Sequence, residues 1–259
     1  AVLIEGIIFI LLSAVKAREA IFNAIPMNLK NAVSVGIGLF IAFIGLANAG
    51  IVEQGGAIVQ LGNLKSPTAL LAIIGLIITG ILLVKKVRGA LLIGIIITTI
   101  IGIPMKVTAL PTSIWSLPPS LKDVAFKFVG WDEILSKDML VVMFTFLFVD
   151  IFDTVGTLVG VTSKAGMLEK DGKVPRAKQA LMADAIGTTF GAVMGTSTVT
   201  TYVESASGVA EGGRTGLTAL STAGMFALAL FLAPIFLMVP GAATAPALIL
   251  VGSFMAASI

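Results

Sequence analysis

Long apolar runs separated by short polar segments set the pattern of this chain. A membrane-spanning helix needs about 20 mainly apolar residues, and the runs meet that length or fall just short of it. The pattern predicts an all-α polytopic membrane protein with spans at residues 1–15, 32–49, 69–84, 90–103, 139–161, 180–195, 217–239 and 242–259. Because the chain begins and ends inside apolar runs, we expect a piece of a longer permease-like chain; a complete shorter protein is the alternative.

The charge of the polar segments indicates which of them lie in the cytoplasm. Lysine and arginine predominate at residues 85–88 and 162–179, as the positive-inside rule expects for cytoplasmic loops. Residues 16–26 form a short amphipathic stretch, which predicts an interfacial helix on the same side. The basic residues of this stretch and of the chain just beyond it are Lys16, Arg18 and Lys30.

The longest polar segment, residues 104–138, differs from these loops in its charge. Its acidic and basic residues balance, and it contains Trp115 and Trp131. Tryptophan is enriched at both membrane–water interfaces. The segment is therefore predicted to be an outside loop with interfacial pieces.

The composition supports the membrane assignment and narrows the chemistry. Hydrophobic residues make up 57% of the chain and charged residues 12%, whereas soluble domains are about 25% charged. The chain has no cysteine and no histidine, which excludes disulfides and thiolate metal sites and leaves proton chemistry to carboxylates. The net charge of +3 is small and lies in the loops, so the predicted partner is the lipid bilayer and not a nucleic acid.

One polar stretch, TSTVTTYVES at residues 196–205, stands out because hydroxyl and β-branched residues end there in a carboxylate. It has no helical periodicity, which predicts extended backbone. Extended backbone within a membrane persists only where it is buried in protein or lines a cavity. We interpret 196–203 as part of a binding site, followed by a helix from Glu204 whose N-terminal end favours a carboxylate or an anionic ligand. The alternative is an ordinary outside loop with Glu204 in water.

Two carboxylates lie within the predicted span 139–161. Asp150 and Asp153 are three residues apart and share one helix face, with Thr157 one turn beyond Asp153. A carboxylate at this depth is costly unless it is paired, solvated or protonated. We expect one of the two to hold a polar solute in a cavity. The alternative is that they bond to neighbouring helix ends or lie in a water-filled interior.

A glycine repeat follows in the span 180–195. Gly187, Gly191 and Gly195 recur every four residues and predict a flat ridge on which another backbone can lie. Asp184 lies one turn before this ridge on the same side. It is either a site residue or a carboxylate that anchors a strand or a helix end, and we expect all four residues to support the site structurally.

The motifs with the most specific order and spacing are FLFVDIFDTVGTLVGV (146–161), ADAIG (183–187), GTSTVTTYVES (195–205), GGRTG (212–216), GIGLFIAFIGL (36–46) and APALILVG (245–252). Together they resemble the AzgA-like purine permeases of the nucleobase:cation symporter-2 and nucleobase-ascorbate transporter superfamily. The resemblance covers nearly the whole chain.

The resemblance implies an inverted seven-plus-seven repeat in which a core domain moves against a gate domain. The chain would begin in the fourth span and stop in the twelfth, without the strand that crosses 196–203 to complete the site. The implied parts are a core-domain span end with an interfacial helix (1–31), gate spans (32–103), the outside loop (104–138), core spans with the substrate site (139–216) and the end of the core with the start of the second gate half (217–259).

The resemblance also assigns roles to individual residues. In that family, a carboxylate in the eighth span and a carboxylate or amide at the start of the tenth span's helix hold the base, and these match Asp153 and Glu204. The related uracil permeases carry a histidine where this chain has Thr157. Positions against the ligand match Tyr202 and the backbone of Val203. The complete set of predicted substrate-binding residues is Asp150, Asp153, Thr157, Thr201, Tyr202, Val203 and Glu204.

The predicted function is secondary active transport of a purine nucleobase, namely hypoxanthine, guanine or adenine, across the plasma membrane. A buried carboxylate can accept two N–H bonds from a purine edge. Glu204 and Asp153 would carry a coupled proton, with sodium as the alternative ion, and no cofactor is expected.

Other hypotheses are an anion transporter of the same architecture, an inactive fragment lacking half the site, and a membrane enzyme, for which the sequence offers no nucleophile, metal or cofactor motif. The oligomeric state is open, a homodimer being one alternative.

Overall fold

A computed structural model describes residues 1–56, 58–128, 130, 134, 136–169 and 173–256. Trp131 and residues 170–172 of the basic loop therefore lie outside the described residues. The helices are α1 (Val2–Ala14), α2 (Ala17–Ala24), α3 (Met27–Asn48), α4 (Pro67–Val84), α5 (Ala90–Gly102), α6 (Lys137–Lys164), α7 (Ala177–Met194), α8 (Ser205–Ala210), α9 (Gly216–Phe231), α10 (Ala233–Leu237) and α11 (Gly241–Ala256). Strands β1 (Val52–Glu53) and β2 (Gln60–Leu61) pair antiparallel, and a 3₁₀ turn spans Leu121–Asp123.

Most predicted spans coincide with helices to within a few residues at each end. The span predicted at 217–239 is instead divided into α9 and α10, because Pro234 lacks the N–H that a continuous helix would need there. Residues 257–259 of the last predicted span lie outside the described residues. Among the described residues, α3, α4 and α6 are long and apolar enough to cross a membrane, and α1, α5, α9 and α11 are shorter apolar helices. Local sequence explains several boundaries. Ser66 and Ser136 cap α4 and α6, each accepting a hydrogen bond from a backbone N–H three residues on. The predicted all-α membrane fold is confirmed.

The described chain forms two compact units. Among the described residues, unit 1 consists of Ala1–Ile37 and Pro119–Val203, and unit 2 of Gly38–Pro118 and the residues from 204 to 256. Helix α3 thus contributes residues to both. Residues 204–216, which the sequence analysis grouped with the core domain, belong to unit 2. The assignment of core and gate domains stays a prediction.

Unit 1 is built around α1, α2, α6 and α7. Helix α1 packs closely on α7, because Gly6 leaves no room for a Cβ beside the Thr189 side chain. A second contact joins α6 to the first half of α3, where a Cβ at Gly156 would press on Val33. The apolar core consists of Phe22, Val155, Val159, Val174, Ala177 and Leu181.

Unit 2 is built around α4, α5 and α11, which meet at small residues. Gly75 of α4 faces Thr98 of α5 and Pro246 of α11. The hydroxyls of Thr98 and of the nearby Thr79 are buried, and each donates to the carbonyl four residues earlier in its own helix at 2.7 Å. Because no polar atom of these threonines is left unsatisfied, the helices can pack closely in an apolar environment.

The basic stretch that follows α1 differs from its sequence interpretation. The sequence analysis placed Arg18 on an interfacial helix and Lys30 just beyond it, but the structure buries both side chains. Arg18 lies over the ring of Phe9 at 3.9 Å, and the Lys30 ammonium lies over the ring of Phe22 at 4.6 Å. Position relative to the membrane interface remains a prediction for α2 as a whole.

Candidate functional site

Residues 196–203, which the sequence predicts to be extended and which we call the extended segment, are non-helical and lie along α7. The Thr188 hydroxyl donates to the Val199 carbonyl at 2.8 Å, and the Thr201 hydroxyl lies 3.4 Å from Oδ1 of Asp184. Gly191 permits the approach, because a Cβ there would collide with the side chain of Val199. These contacts bury an irregular backbone in protein, which is the condition for its stability in a membrane.

Two glycines complete this arrangement. Gly195 ends α7 with a φ of +88° and lies so close to the Val124 carbonyl that a Cβ would be 2.7 Å from its oxygen. Only glycine adopts this left-handed conformation without strain. A Cβ at Gly187, by contrast, would be 3.6 Å from Val199, an ordinary contact distance. The close fit of the segment thus depends on Gly191 and Gly195 more than on Gly187.

Helix α6 presents its polar residues toward the same segment. The Thr154 hydroxyl lies 3.2 Å from the Thr200 hydroxyl and 3.5 Å from Oδ2 of Asp184. Asp150 is buried, Asp153 is half-buried, and both belong to the same face of α6. These contacts join the carboxylates of α6 and α7 to the hydroxyls of the extended segment.

A buried arginine joins the carboxylates. Nη2 of Arg18 lies 3.2 Å from Oδ2 of Asp150 and 2.8 Å from Oδ2 of Asp184, and Nη1 donates to the Leu181 carbonyl at 2.9 Å. The sequence analysis did not find this network. The available signal was electrostatic: carboxylates at membrane depth need a cation, and Arg18 is one of two basic residues in the amphipathic stretch that follows the first span.

A cavity of about 220 Å³ lies in unit 1 between α6 and the extended segment. Two predicted site residues, Asp150 and Asp153, line it. The full lining consists of Thr145, Phe146, Val149, Asp150, Asp153, Thr198 and Thr200. Two aspartates, three threonines and a phenylalanine thus border a single small space, most of whose exposed lining is apolar. Residues of these types can hydrogen-bond the edge of a flat heterocycle and pack against its face.

The other predicted site residues lie elsewhere. Thr157 is fully buried in α6, and its hydroxyl has no hydrogen-bond partner among the described residues. Tyr202 is 60% exposed, whereas the neighbouring Val203 is buried. Glu204 immediately precedes α8 and belongs to unit 2.

Comparison with known proteins identifies the family. The model of the permease family Xan_ur_permease matches residues 1–259. This chain belongs to that permease family. The resemblance inferred from the motifs is therefore confirmed, and the chain is a multi-pass membrane protein of a transporter family. Its named relatives are permeases and not enzymes.

Several similar relatives are permeases whose names state a substrate. It is 46% identical over 258 residues to the guanine/hypoxanthine permease PbuG of Bacillus subtilis, covering 99% of this chain and 58% of that protein. It is 43% identical over 254 residues to the adenine permease AdeP of Escherichia coli, covering 96% of this chain and 56% of that protein. The chain thus spans less than two thirds of the length of these curated relatives.

A solved structure has the same fold. The transmembrane domain of the cyanobacterial bicarbonate transporter BicA matches with a TM-score of 0.66 and 19% identity, over 97% of this chain and 66% of that domain's chain. At this identity the match shows the fold alone. It agrees with the transporter architecture that the motifs predicted.

Proposed function

We propose that this chain contains the binding cavity of a purine nucleobase transporter and that Asp153 holds the base. The observation that carries the proposal is the cavity of unit 1, which is lined by Asp150 and Asp153 of α6 and by Thr198 and Thr200. The relatives PbuG and AdeP are named as guanine/hypoxanthine and adenine permeases, which supports purines as the substrate class.

The chemistry of a purine suits this cavity. Its edge offers neighbouring N–H donors and ring-nitrogen acceptors, and a carboxylate can accept two N–H bonds at once. Asp153 lines the cavity, and the family resemblance matches it to the carboxylate that holds the base, so we assign the base to Asp153. Phe146 offers an apolar face for the ring. A volume of about 220 Å³ is below the range of about 300–1,000 Å³ for drug-sized ligands and suits a single heterocycle.

We further propose that movement of the base is coupled to movement of an ion. The sequence analysis predicts that Glu204 and Asp153 carry a symported proton, with sodium as the alternative ion. A carboxylate that takes up a proton on one side of a membrane and releases it on the other links the two fluxes. We propose that this transport takes place across the plasma membrane. We also propose that Tyr202 and the backbone of Val203 lie next to the bound base.

The test is uptake of labelled hypoxanthine and adenine by cells that lack their own purine permeases and express the full-length protein. The Asp153→Asn variant loses a charged acceptor, so its apparent affinity should fall by about tenfold or more. Glu204→Gln should abolish uptake, because it removes the second carboxylate that the family resemblance assigns to the base. Asp138→Asn is the matched control, because Asp138 is an exposed residue in the first turn of the same helix. Normal uptake by both Asp153→Asn and Glu204→Gln, at equal membrane expression, would refute the site assignment.

An anion transporter is the second candidate, since the structural neighbour is described as a bicarbonate transporter domain. Two carboxylates lining the cavity disfavour it, because an anion there would meet like charges. Competition distinguishes the two functions. Displacement of a labelled purine by unlabelled purine, and not by bicarbonate or sulfate, supports the nucleobase transporter.

A further inference from the structure

Glu5 is a buried carboxylate that neither the proposed base contacts nor the Arg18 ion pairs use. It lies on the apolar helix α1 with 1% of its surface exposed. The close contact of Gly6 with Thr189 fixes this part of α1 against α7. Ionisable residues at such depth are costly to keep, and in membrane proteins they mark ion and proton pathways.

The hydrogen bonding of Glu5 is incomplete. Oε2 lies 3.4 Å from the Thr198 hydroxyl, a long contact, and Oε1 has no hydrogen-bond partner among the described residues. Asp184 differs, since it receives hydrogen bonds from Arg18, Thr154 and Thr201. An ionised Glu5 would therefore leave a charged oxygen unsatisfied inside the protein, which is the costly case.

The charged groups around Glu5 also favour its neutral form. The charged groups that act on Glu5 are Arg18 of α2, Asp150 of α6, Asp184 of α7 and the amino group of Ala1. The terminal nitrogens of Arg18 are engaged with the two aspartates and a carbonyl. Three carboxylates thus share one guanidinium, and a neutral Glu5 reduces the excess of negative charge.

Thr198 connects Glu5 to the substrate cavity. Its hydroxyl lies within reach of Oε2 of Glu5, and the same residue lines the cavity next to Asp150 and Asp153. A hydroxyl has one hydrogen to donate. While Glu5 is ionised, the Thr198 hydroxyl donates to it; when Glu5 is protonated, Glu5 donates to Thr198, whose hydrogen can then point into the cavity.

We propose that Glu5 is a proton-binding site of the transporter and that Thr198 links its protonation to the binding of the base. This inference rests on the proposed function of the cavity, and it places the coupled proton on Glu5 instead of on Glu204 and Asp153. The proton comes from the aqueous phase on one side, resides on the Glu5 carboxyl while the base is bound, and leaves on the other side; the base itself is chemically unchanged. By linkage, a proton on Glu5 tightens base binding and a bound base tightens proton binding by the same factor.

The test uses the full-length protein reconstituted in proteoliposomes and compares the wild type with Glu5→Gln. Gln keeps the size and an acceptor oxygen but cannot titrate. Ser13→Ala is the matched control, because Ser13 is also buried on α1 and its hydroxyl lacks a partner among the described residues. Two rates are measured with labelled hypoxanthine or adenine: exchange across the membrane without any gradient, and accumulation against an imposed pH gradient.

A pH gradient of one unit drives about tenfold accumulation if one proton enters with each base. The wild type and Ser13→Ala should show this accumulation. Glu5→Gln should exchange base at close to the wild-type rate and should not accumulate it. Uphill accumulation by Glu5→Gln equal to wild type overturns the proposal, as does joint loss of exchange and accumulation. Accumulation by the wild type that follows a sodium gradient and ignores pH also overturns it.

A measurement without substrate separates this proposal from the proposed function. The infrared carbonyl band of a protonated carboxyl group is recorded on the purified protein across a pH series. A band that Glu5→Gln lacks and Ser13→Ala retains supports the proton site, even if the wild type transports no purine. Identical spectra for wild type and Glu5→Gln overturn it, even if purine transport is normal.

Discussion

The guanidinium of Arg18 lies 2.8 Å from the carboxylate of Asp184, and both side chains are buried. The same nitrogen reaches Asp150 at 3.2 Å. One cation therefore holds α2 to both α6 and α7. These two helices carry the carboxylates and the surface on which the extended segment lies, so the pair positions the candidate site.

Arg18→Met should destabilise the protein strongly. The substitution leaves two buried carboxylates without a cationic partner, a loss of about 3–5 kcal/mol in the free energy of unfolding. Denaturant titration of the purified full-length protein measures this. Arg88→Met, at an exposed position, is the control and should change stability by less than about 0.5 kcal/mol.

A compensating change makes the Arg18 prediction specific. If uncompensated charge is the cause, adding Asp184→Asn to Arg18→Met should recover part of the lost stability, since one of the two carboxylates is then neutral. A double variant less stable than Arg18→Met would contradict this explanation.

Thr188→Val should reduce purine uptake while membrane expression is kept. Valine has nearly the same shape but cannot donate to the Val199 carbonyl, and an unsatisfied buried acceptor costs about 1–3 kcal/mol. We expect the extended segment to detach locally from α7. Thr189→Val is the control, because the Thr189 hydroxyl bonds only within its own helix, to the Ala185 carbonyl. Equal uptake by the two variants would show that this bond does not hold the segment.

Gly191→Ala and Gly187→Ala should differ in their effect on uptake. A Cβ at Gly191 would collide with Val199 and come within 2.7 Å of the Thr196 hydroxyl oxygen, whereas a Cβ at Gly187 would be 3.6 Å from Val199. Gly191→Ala should therefore displace the segment and lower uptake. Gly187→Ala should keep uptake and gain about 0.5–1 kcal/mol from higher helix propensity. Both are measured by labelled-purine uptake and by thermal unfolding, and the reverse order would refute the packing argument.

Gly75→Val and Gly80→Val test unit 2 away from the cavity. A Cβ at Gly75 would lie 2.7 Å from the Thr98 hydroxyl oxygen and 3.0 Å from Pro246, and such overpacking costs about 1–3 kcal/mol. A Cβ at Gly80 of the same helix meets none of the described residues within 4 Å. Thermal unfolding should show a clear loss for Gly75→Val alone. Similar stabilities would indicate that α4, α5 and α11 pack less closely than described.

Some features of the candidate site follow from local sequence. Asp150 and Asp153 share one face because they lie three residues apart on a helix, and α6 places both on the cavity. The break at 196–203 follows from β-branched and hydroxyl residues after a helix-ending glycine. The other predicted site residues cannot be assigned from local sequence in this way. Thr157, Thr201, Tyr202 and Val203 are not in the cavity lining, and their roles remain predictions from the family resemblance.

The sequence by itself determined the class of protein, the spans and the position of the irregular segment. These features follow from the lipid environment. A helix that crosses the bilayer must be long and apolar, and irregular backbone is stable there only where it is buried in protein or lines a cavity. Only the tertiary structure decided which groups satisfy the buried charges. Arg18 is 132 residues from Asp150 and 166 from Asp184 along the chain, and Glu5 is 193 from Thr198. No periodicity encodes such distant pairs, because they form only when packed helices bring oppositely charged or hydrogen-bonding groups together away from water.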